Sequence, residues 1–146
     1  IGYMIERMLR NVLRKHGIQR DVVTLVTMAL VRESDPANQA PSKRIGKIYS
    51  EDEAEQIASE KGWIFKEDKK REGGFRRVVP SPEPIEIINE KVVKTLARQG
   101  TIVVASGGGG IPVYRDDTGR LRPSESVIDK DLASALLGAR IGADEL

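Results

Sequence analysis

Cysteine is absent from the chain, which excludes disulfides and thiolate metal sites together. Histidine is nearly absent. His16 has no second imidazole to join it in a metal site, and its place in the last turn of a helix pattern reads as capping. Aromatic residues make up 4% of the chain and interleave with no basic run, so the stacking surface of a nucleic-acid binder is missing. The 24 basic and 22 acidic side chains are spread along the sequence and leave a net charge of +2. No apolar run approaches the roughly 18 residues of a membrane span. No basic start, apolar middle and small-residue cleavage site marks a signal peptide. These absences predict a cytoplasmic protein that engages neither nucleic acid nor membrane, with a soluble surface supplied by the 32% of charged residues.

The length of 146 residues suits one domain or a piece of a larger one. The second is expected. The chain starts at Ile1 inside a helix pattern without an initiator Met, and it stops after Gly142-Ala143-Asp144, where a further strand is due.

Ile1, Ile5, Met8, Leu9, Val12 and Leu13 fall at helical spacing opposite Glu6, Arg7, Arg10, Arg14 and Lys15, and Gly17 ends the pattern. This predicts an amphipathic surface helix. Val22 to Val31, nearly all apolar and β-branched, reads as one central strand covered on both faces. From 32 to 77 the chain turns polar. Ser50 and Glu53 form a capping-box signal for a helix closed by Gly62, and Trp63–Lys66 with Phe75–Val79 read as a hairpin. A small α+β subdomain over 32–77, inserted between core segments 1–31 and 78–146, follows. In the second core segment a helix is expected from Asn89 to Gln99, a buried strand over Thr101–Ala105, a hairpin of Val113-Tyr114 with Arg120–Arg122, and a last helix from Asp129 or Lys130. Alternating strands and helices predict a three-layer α/β/α sandwich with a mainly parallel open sheet.

Chemistry points to two places. Ser106 leads into Gly107, Gly108, Gly109 and Gly110, directly after the apolar strand. A glycine run there exposes backbone N–H groups with no side chains to hold an anion away, and strand ends of this kind are where α/β sheets bind ligands. It is neither GxxxxGK[ST] nor the GxGxxG of a dinucleotide fold. The second place is Asp129-Lys130-Asp131, a cation between two carboxylates at a helix start, flanked by Val127-Ile128 and Leu132-Ala133 and so read as lying at the junction of buried segments. An oxyanion loop, a cation and acids that fix the cation are the parts phosphoryl transfer uses. Lys43 alone reads as an exposed loop cation. Arg76 and Arg77 read as a solvated strand end or an anion clamp.

Taken together, Gly2–Ile5, Pro41–Gly46 (PSKRIG), Arg76–Pro82 (RRVVPSP), Ala105–Val113 (ASGGGGIPV) and Val127–Leu137 (VIDKDLASALL) resemble the carbamate kinases of the amino acid kinase superfamily. The resemblance implies reversible phosphoryl transfer between ATP and carbamate, with magnesium accompanying the nucleotide and a homodimer as the assembly. It also implies that Gly107 to Gly110 hold the carbamate group, that Lys130 neutralises the transferring phosphoryl group, and that Asp131 orients the catalytic lysines. Lys43 would reach the site from the inserted subdomain. Family members are about twice as long, beginning with a strand and a glycine-rich loop that contacts the ATP phosphates and ending with a C-terminal half that supplies the nucleotide pocket. The expectation is therefore that this chain carries mainly the carbamate side and is inactive alone. Arg44 stands where the family commonly has Pro, which predicts a less rigid loop around Lys43. The alternatives left open are a related kinase with another acceptor, a non-catalytic anion-binding or interaction module, and a fragment with no independent activity.

Overall fold

The computed structural model describes residues 1–68 and 71–145. Lys69 and Lys70, in the turn of the expected hairpin, lie outside the described residues. In chain order the elements are α1 (Gly2–Lys15), β1 (Val22–Thr24), β2 (Met28–Leu30), a 3₁₀ turn (Pro36–Asn38), β3 (Lys43–Tyr49), α2 (Glu51–Lys61), β4 (Ile64–Glu67) and β5 (Phe75–Val79). They continue with β6 (Glu86–Ile87), α3 (Glu90–Arg98), β7 (Ile102–Val104), a 3₁₀ turn at Gly107–Gly109, β8 (Ile111–Arg115), β9 (Leu121–Pro123) and α4 (Lys130–Ile141). The class is α/β.

Two compact units divide the chain. The larger comprises Ile1–Glu33, Glu83–Ser124 and Ile128–Leu146, and the smaller comprises Ser34–Pro82 with Glu125–Val127. The inserted segment is expected to end at Arg77. The strand continues to Val79, where pairing with Lys43 keeps it in the smaller unit.

In the larger unit, β1 pairs with β7 in parallel, Val22 opposite Ile102. A four-stranded sheet runs β6-β2-β8-β9, with β2 and β8 parallel and the other two pairings antiparallel. Val22 to Val31 is thus two short strands in two sheets and not the single strand its composition suggests. The break falls at Leu25–Thr27, because the pairing partner changes there from β7 to β8. The core gathers Ala29, Val31, Ile87, Val93, Ile128, Ala133 and Leu137. β2 buries both Ala29 and Leu30, while α3 and α4 bury one face each, through Val93 and through Ala133 and Leu137.

Asn89, expected as the N-cap of α3, makes no side-chain cap bond. Its Oδ1 instead accepts the Met28 N–H at 3.1 Å, satisfying a backbone donor at the start of β2. α1 packs on β1 and β7 but buries none of its residues, and Met4, Met8 and Val12 are each more than half exposed. It is fastened by polar contacts: Glu6 accepts the Thr24 N–H at 2.9 Å, and Arg10 bonds both Glu6 and the Val22 carbonyl.

The hydrogen bond from Thr24, and then the Arg10 guanidinium, hold the Glu6 carboxyl below its ordinary value of 4.5. A depressed folded pKa means that the unfolded chain takes up the proton first as pH falls. Glu6 therefore helps fasten α1 fully above about 4.5 and progressively less below it. We expect Glu6→Gln to lower the melting temperature at neutral pH and to converge with the wild type in acid. A constant difference at all pH values would contradict this.

In the smaller unit, β3-β5-β4 form an antiparallel sheet. The capping box at Ser50 and Glu53 is present, and Gly62 ends α2 in a left-handed conformation, φ 66°. Tyr49 meets Phe65 edge to face at 5.4 Å. β3 is an edge strand whose charged residues suit a free edge, and it includes Lys43, expected as a loop cation.

Candidate functional site

Ser106 opens the glycine loop with φ 53°, and Gly108, Gly109 and Gly110 follow at φ 72°, 99° and 87°. A run of left-handed residues turns the chain sharply enough to return it as β8 beside β2 while β7 lies beside β1. The loop is anchored on both sides. Thr27, buried in the break between β1 and β2, accepts the Ser106 N–H on its Oγ1 at 3.0 Å and the Ile111 N–H on its carbonyl at 2.8 Å. On the other side Gly109 is seated on Ile128: a Cβ there would lie 2.8 Å from the Ile128 carbonyl oxygen. Gly110 is almost as close to Thr27, at 3.1 Å. Gly107 and Gly108 have open space around them and are exposed.

Thr27 was not singled out from the sequence. The signal was present, since it is one of two threonines in an otherwise apolar stretch. Replacing it with valine leaves the buried Ser106 N–H unpaired, and we expect a loss of about 1–3 kcal/mol in urea denaturation. A neutral substitution would mean that the loop is held elsewhere.

Ser106 is buried, and its Oγ has no hydrogen-bond partner among the described residues. Beside the loop lies a cleft of about 470 Å³. Gly107, Gly108 and Gly110 line it together with Ile5, Leu25 and Val26. Its side-chain walls are largely apolar, and Val26 and the glycines leave it open to solvent.

Ile128 connects this loop to the charged triplet. Asp129 caps α4, its Oδ1 accepting the Asp131 N–H at 2.9 Å. Lys130 Nζ bonds Asp131 Oδ1 at 2.6 Å, and both side chains are largely exposed, 69% and 82%. This corrects the expectation of a buried junction. Only Ile128 and Ala133 turn inward, at 2% and 0% exposure, and the first turn of α4 faces outward between them. The hydrogen bond that Lys130 donates to Asp131, and then the charges of Asp131 and Asp129, raise the Lys130 pKa above its ordinary 10.5. Lys130 is therefore an ammonium throughout the physiological range. The structure thus brings together the glycines, Ser106, Asp129, Lys130 and Asp131 in one unit.

Lys43, Arg76 and Arg77 belong to the other unit. Lys43 begins β3 opposite Val79 and is half-buried, so it is a strand residue and not a loop cation. Arg76 and Arg77 lie within the central strand of their sheet, not at a solvated end. Arg76 faces the buried Asp68 at 3.7 Å and bonds the Arg44 carbonyl at 3.5 Å. Arg77 stacks its guanidinium 3.8 Å from the Trp63 ring centroid. Among the described residues no group of three His, Asp or Glu side chains could hold a metal ion, and no helix is long and apolar enough to cross a membrane.

The sequence profile of the amino acid kinase family matches residues 3–146. A carbamate kinase of Pyrococcus furiosus is 49% identical over 144 residues, which are 99% of this chain and 45% of that protein. One from Staphylococcus epidermidis is 51% identical over 146 residues, 100% of this chain and 46% of that protein. Among solved structures, a Giardia lamblia carbamate kinase bound to citric acid superposes with a TM-score of 0.87 at 39% identity. The same enzyme bound to AMP-PNP gives 0.82 at 40%, and each match covers 98% of this chain and 45% of the other. The chain thus spans less than half the length of these relatives.

Proposed function

The chain belongs to the amino acid kinase family, and from that premise we propose that it takes part in reversible phosphoryl transfer between ATP and carbamate, contributing mainly the carbamate side of the site. The observation that carries this reading is the glycine loop wedged between Thr27 and Ile128, with the Lys130 ammonium two residues beyond Ile128 at the start of α4. Carbamate is already an anion, so its oxygen needs no base before it attacks the γ-phosphorus. The bond to the bridging oxygen breaks, and its electron pair leaves with ADP. In the reverse direction carbamoyl phosphate and ADP give ATP.

The work left to the protein is positioning and charge balance. Gly107 to Gly110 hold the carbamate or carbamoyl group with backbone donors. Lys130 offsets negative charge on the phosphoryl oxygens, and Asp131 fixes its ammonium. Asp129 holds the helix start in shape, Ser106 offers its buried hydroxyl beside the loop, and Lys43 is the second cation that the family resemblance implies. Magnesium accompanies the nucleotide phosphates, and no described cluster of this chain is assigned to it. Residues beyond this chain supply most contacts to ATP. A cytoplasmic homodimer completes the reading, with the open apolar face of α1 as a candidate contributor.

The acceptor is tested by offering magnesium-ADP with a panel of acyl phosphates to the longest reading frame that contains this chain. ATP should form from carbamoyl phosphate at least about a hundredfold faster than from N-acetylglutamyl or aspartyl phosphate, a difference of about 2.7 kcal/mol in the barrier. Preference for one of the others would keep the phosphotransferase and replace its acceptor.

A further inference from the structure

β3 is an edge strand, paired only with β5, and it begins two residues after Pro41. The start of an edge strand frays readily, yet Lys43 stands there. Two side-chain straps tie down the strand on either side of it. The Arg44 guanidinium donates from Nε at 3.2 Å and from Nη2 at 2.9 Å to the Glu67 carbonyl of β4, reaching across the intervening β5. Lys66, the neighbour of Glu67 on β4, donates from Nζ to the Pro41 carbonyl at 2.8 Å. Lys43 is therefore bracketed by a tie two residues before it and another one residue after it.

The sheet register places both straps on one face. Arg44 lies opposite Val78 and Ile64, and Lys66 lies opposite Arg76, in step with that row. Lys43, Ile45, Arg77 and Phe65 occupy the other face by the same alternation. Arg76, between the straps, bonds the Arg44 carbonyl at 3.5 Å.

We propose that Arg44 and Lys66 are positioning residues that fix the strand end carrying Lys43, so that Arg44 replaces by a cross-sheet hydrogen bond the stiffness a proline would give. The proposal rests on the reading of Lys43 as an active-site cation. It reverses the expectation that an arginine at this position loosens the segment.

The test uses Lys43→Ala, Arg44→Ala, Arg44→Lys, Lys66→Met and the double variant Lys43→Ala with Arg44→Ala, each in the longest reading frame containing the chain. Arg44→Ala should lower kcat for ATP formation about tenfold while leaving KM for ADP within about twofold, as expected for a misplaced group. Arg44→Lys, with a shorter single-point donor, should recover part of the loss. The double variant should be no slower than Lys43→Ala alone, because a residue that acts through Lys43 has nothing left to act on. Amide hydrogen exchange at Ser42, whose N–H donates to the Val79 carbonyl at 3.2 Å, should quicken in Arg44→Ala and in Lys66→Met.

If Lys43→Ala is slow while Arg44→Ala matches the wild type, or if the two losses multiply, the positioning role is overturned and the reading of Lys43 survives. If Lys43→Ala itself keeps full activity, the reading of Lys43 fails and takes the positioning role with it. Unchanged exchange at Ser42 in both strap variants would show that the straps do not hold the strand.

Discussion

Gly109→Ala should destabilise the protein by about 2–5 kcal/mol, combining a left-handed backbone that alanine tolerates poorly with overpacking against a fixed neighbour. The new Cβ would meet the Ile128 carbonyl oxygen at 2.8 Å and the Ile128 Cβ at 2.9 Å, with φ at 99°. Ile128 cannot easily yield, since it is 2% exposed in the core and precedes the cap of α4. The expected readout is a fall of several degrees in melting temperature together with loss of carbamoyl phosphate binding. Gly107→Ala is the matching control. No atom lies within 4 Å of its Cβ position and its φ is not positive, so the fold should be unaffected. It still places a methyl at the wall of the cleft, and binding should weaken alone. Equal stability of the two variants would show that the loop is not seated on Ile128 as described.

On the proposed role of Lys130, Lys130→Ala should cut the rate of ATP formation by about a hundredfold or more, because a cation placed to offset phosphoryl charge acts mainly in the transition state. Its stability should be unchanged. The ion pair with Asp131 is open to solvent, and exposed pairs contribute little. Lys130→Arg keeps the charge but spreads it over a planar fork, so only part of the rate should return. Asp131→Asn should have a smaller effect than Lys130→Ala, since it removes the partner that orients the ammonium and leaves the charge in place. A Lys130→Ala enzyme with wild-type kcat would remove this residue from the chemistry.

Features set by neighbouring residues were legible in the sequence. The capping box of Ser50 and Glu53, the Gly62 stop and the β8–β9 hairpin each depend on contacts within a few positions. The glycine run announced its loop for the same reason, being too permissive to continue a strand. Features set by distant partners were not legible. Whether Val22–Val31 is one strand or two depends on β7 and β8, about 80 residues away, and Thr27 is the one local hint of where the partner changes. β3 was hidden because its lysines and arginine suit an edge strand as well as a loop. Helix periodicity did not reveal the exposure of Lys130, because apolar neighbours on both sides suggested burial while the first turn of α4 points outward. The Asp68 beside Arg76 and the Trp63 ring under Arg77 were not legible either, since both contacts depend on how the hairpin pairs.

The most direct measurement follows ATP production and carbamoyl phosphate binding side by side, with magnesium-ADP supplied to the longest reading frame that contains this chain. The account predicts that carbamoyl phosphate binds and is consumed with one ATP formed per molecule. Binding without any ATP would contradict it, leaving the glycine loop as an anion-holding module with no part in phosphoryl transfer.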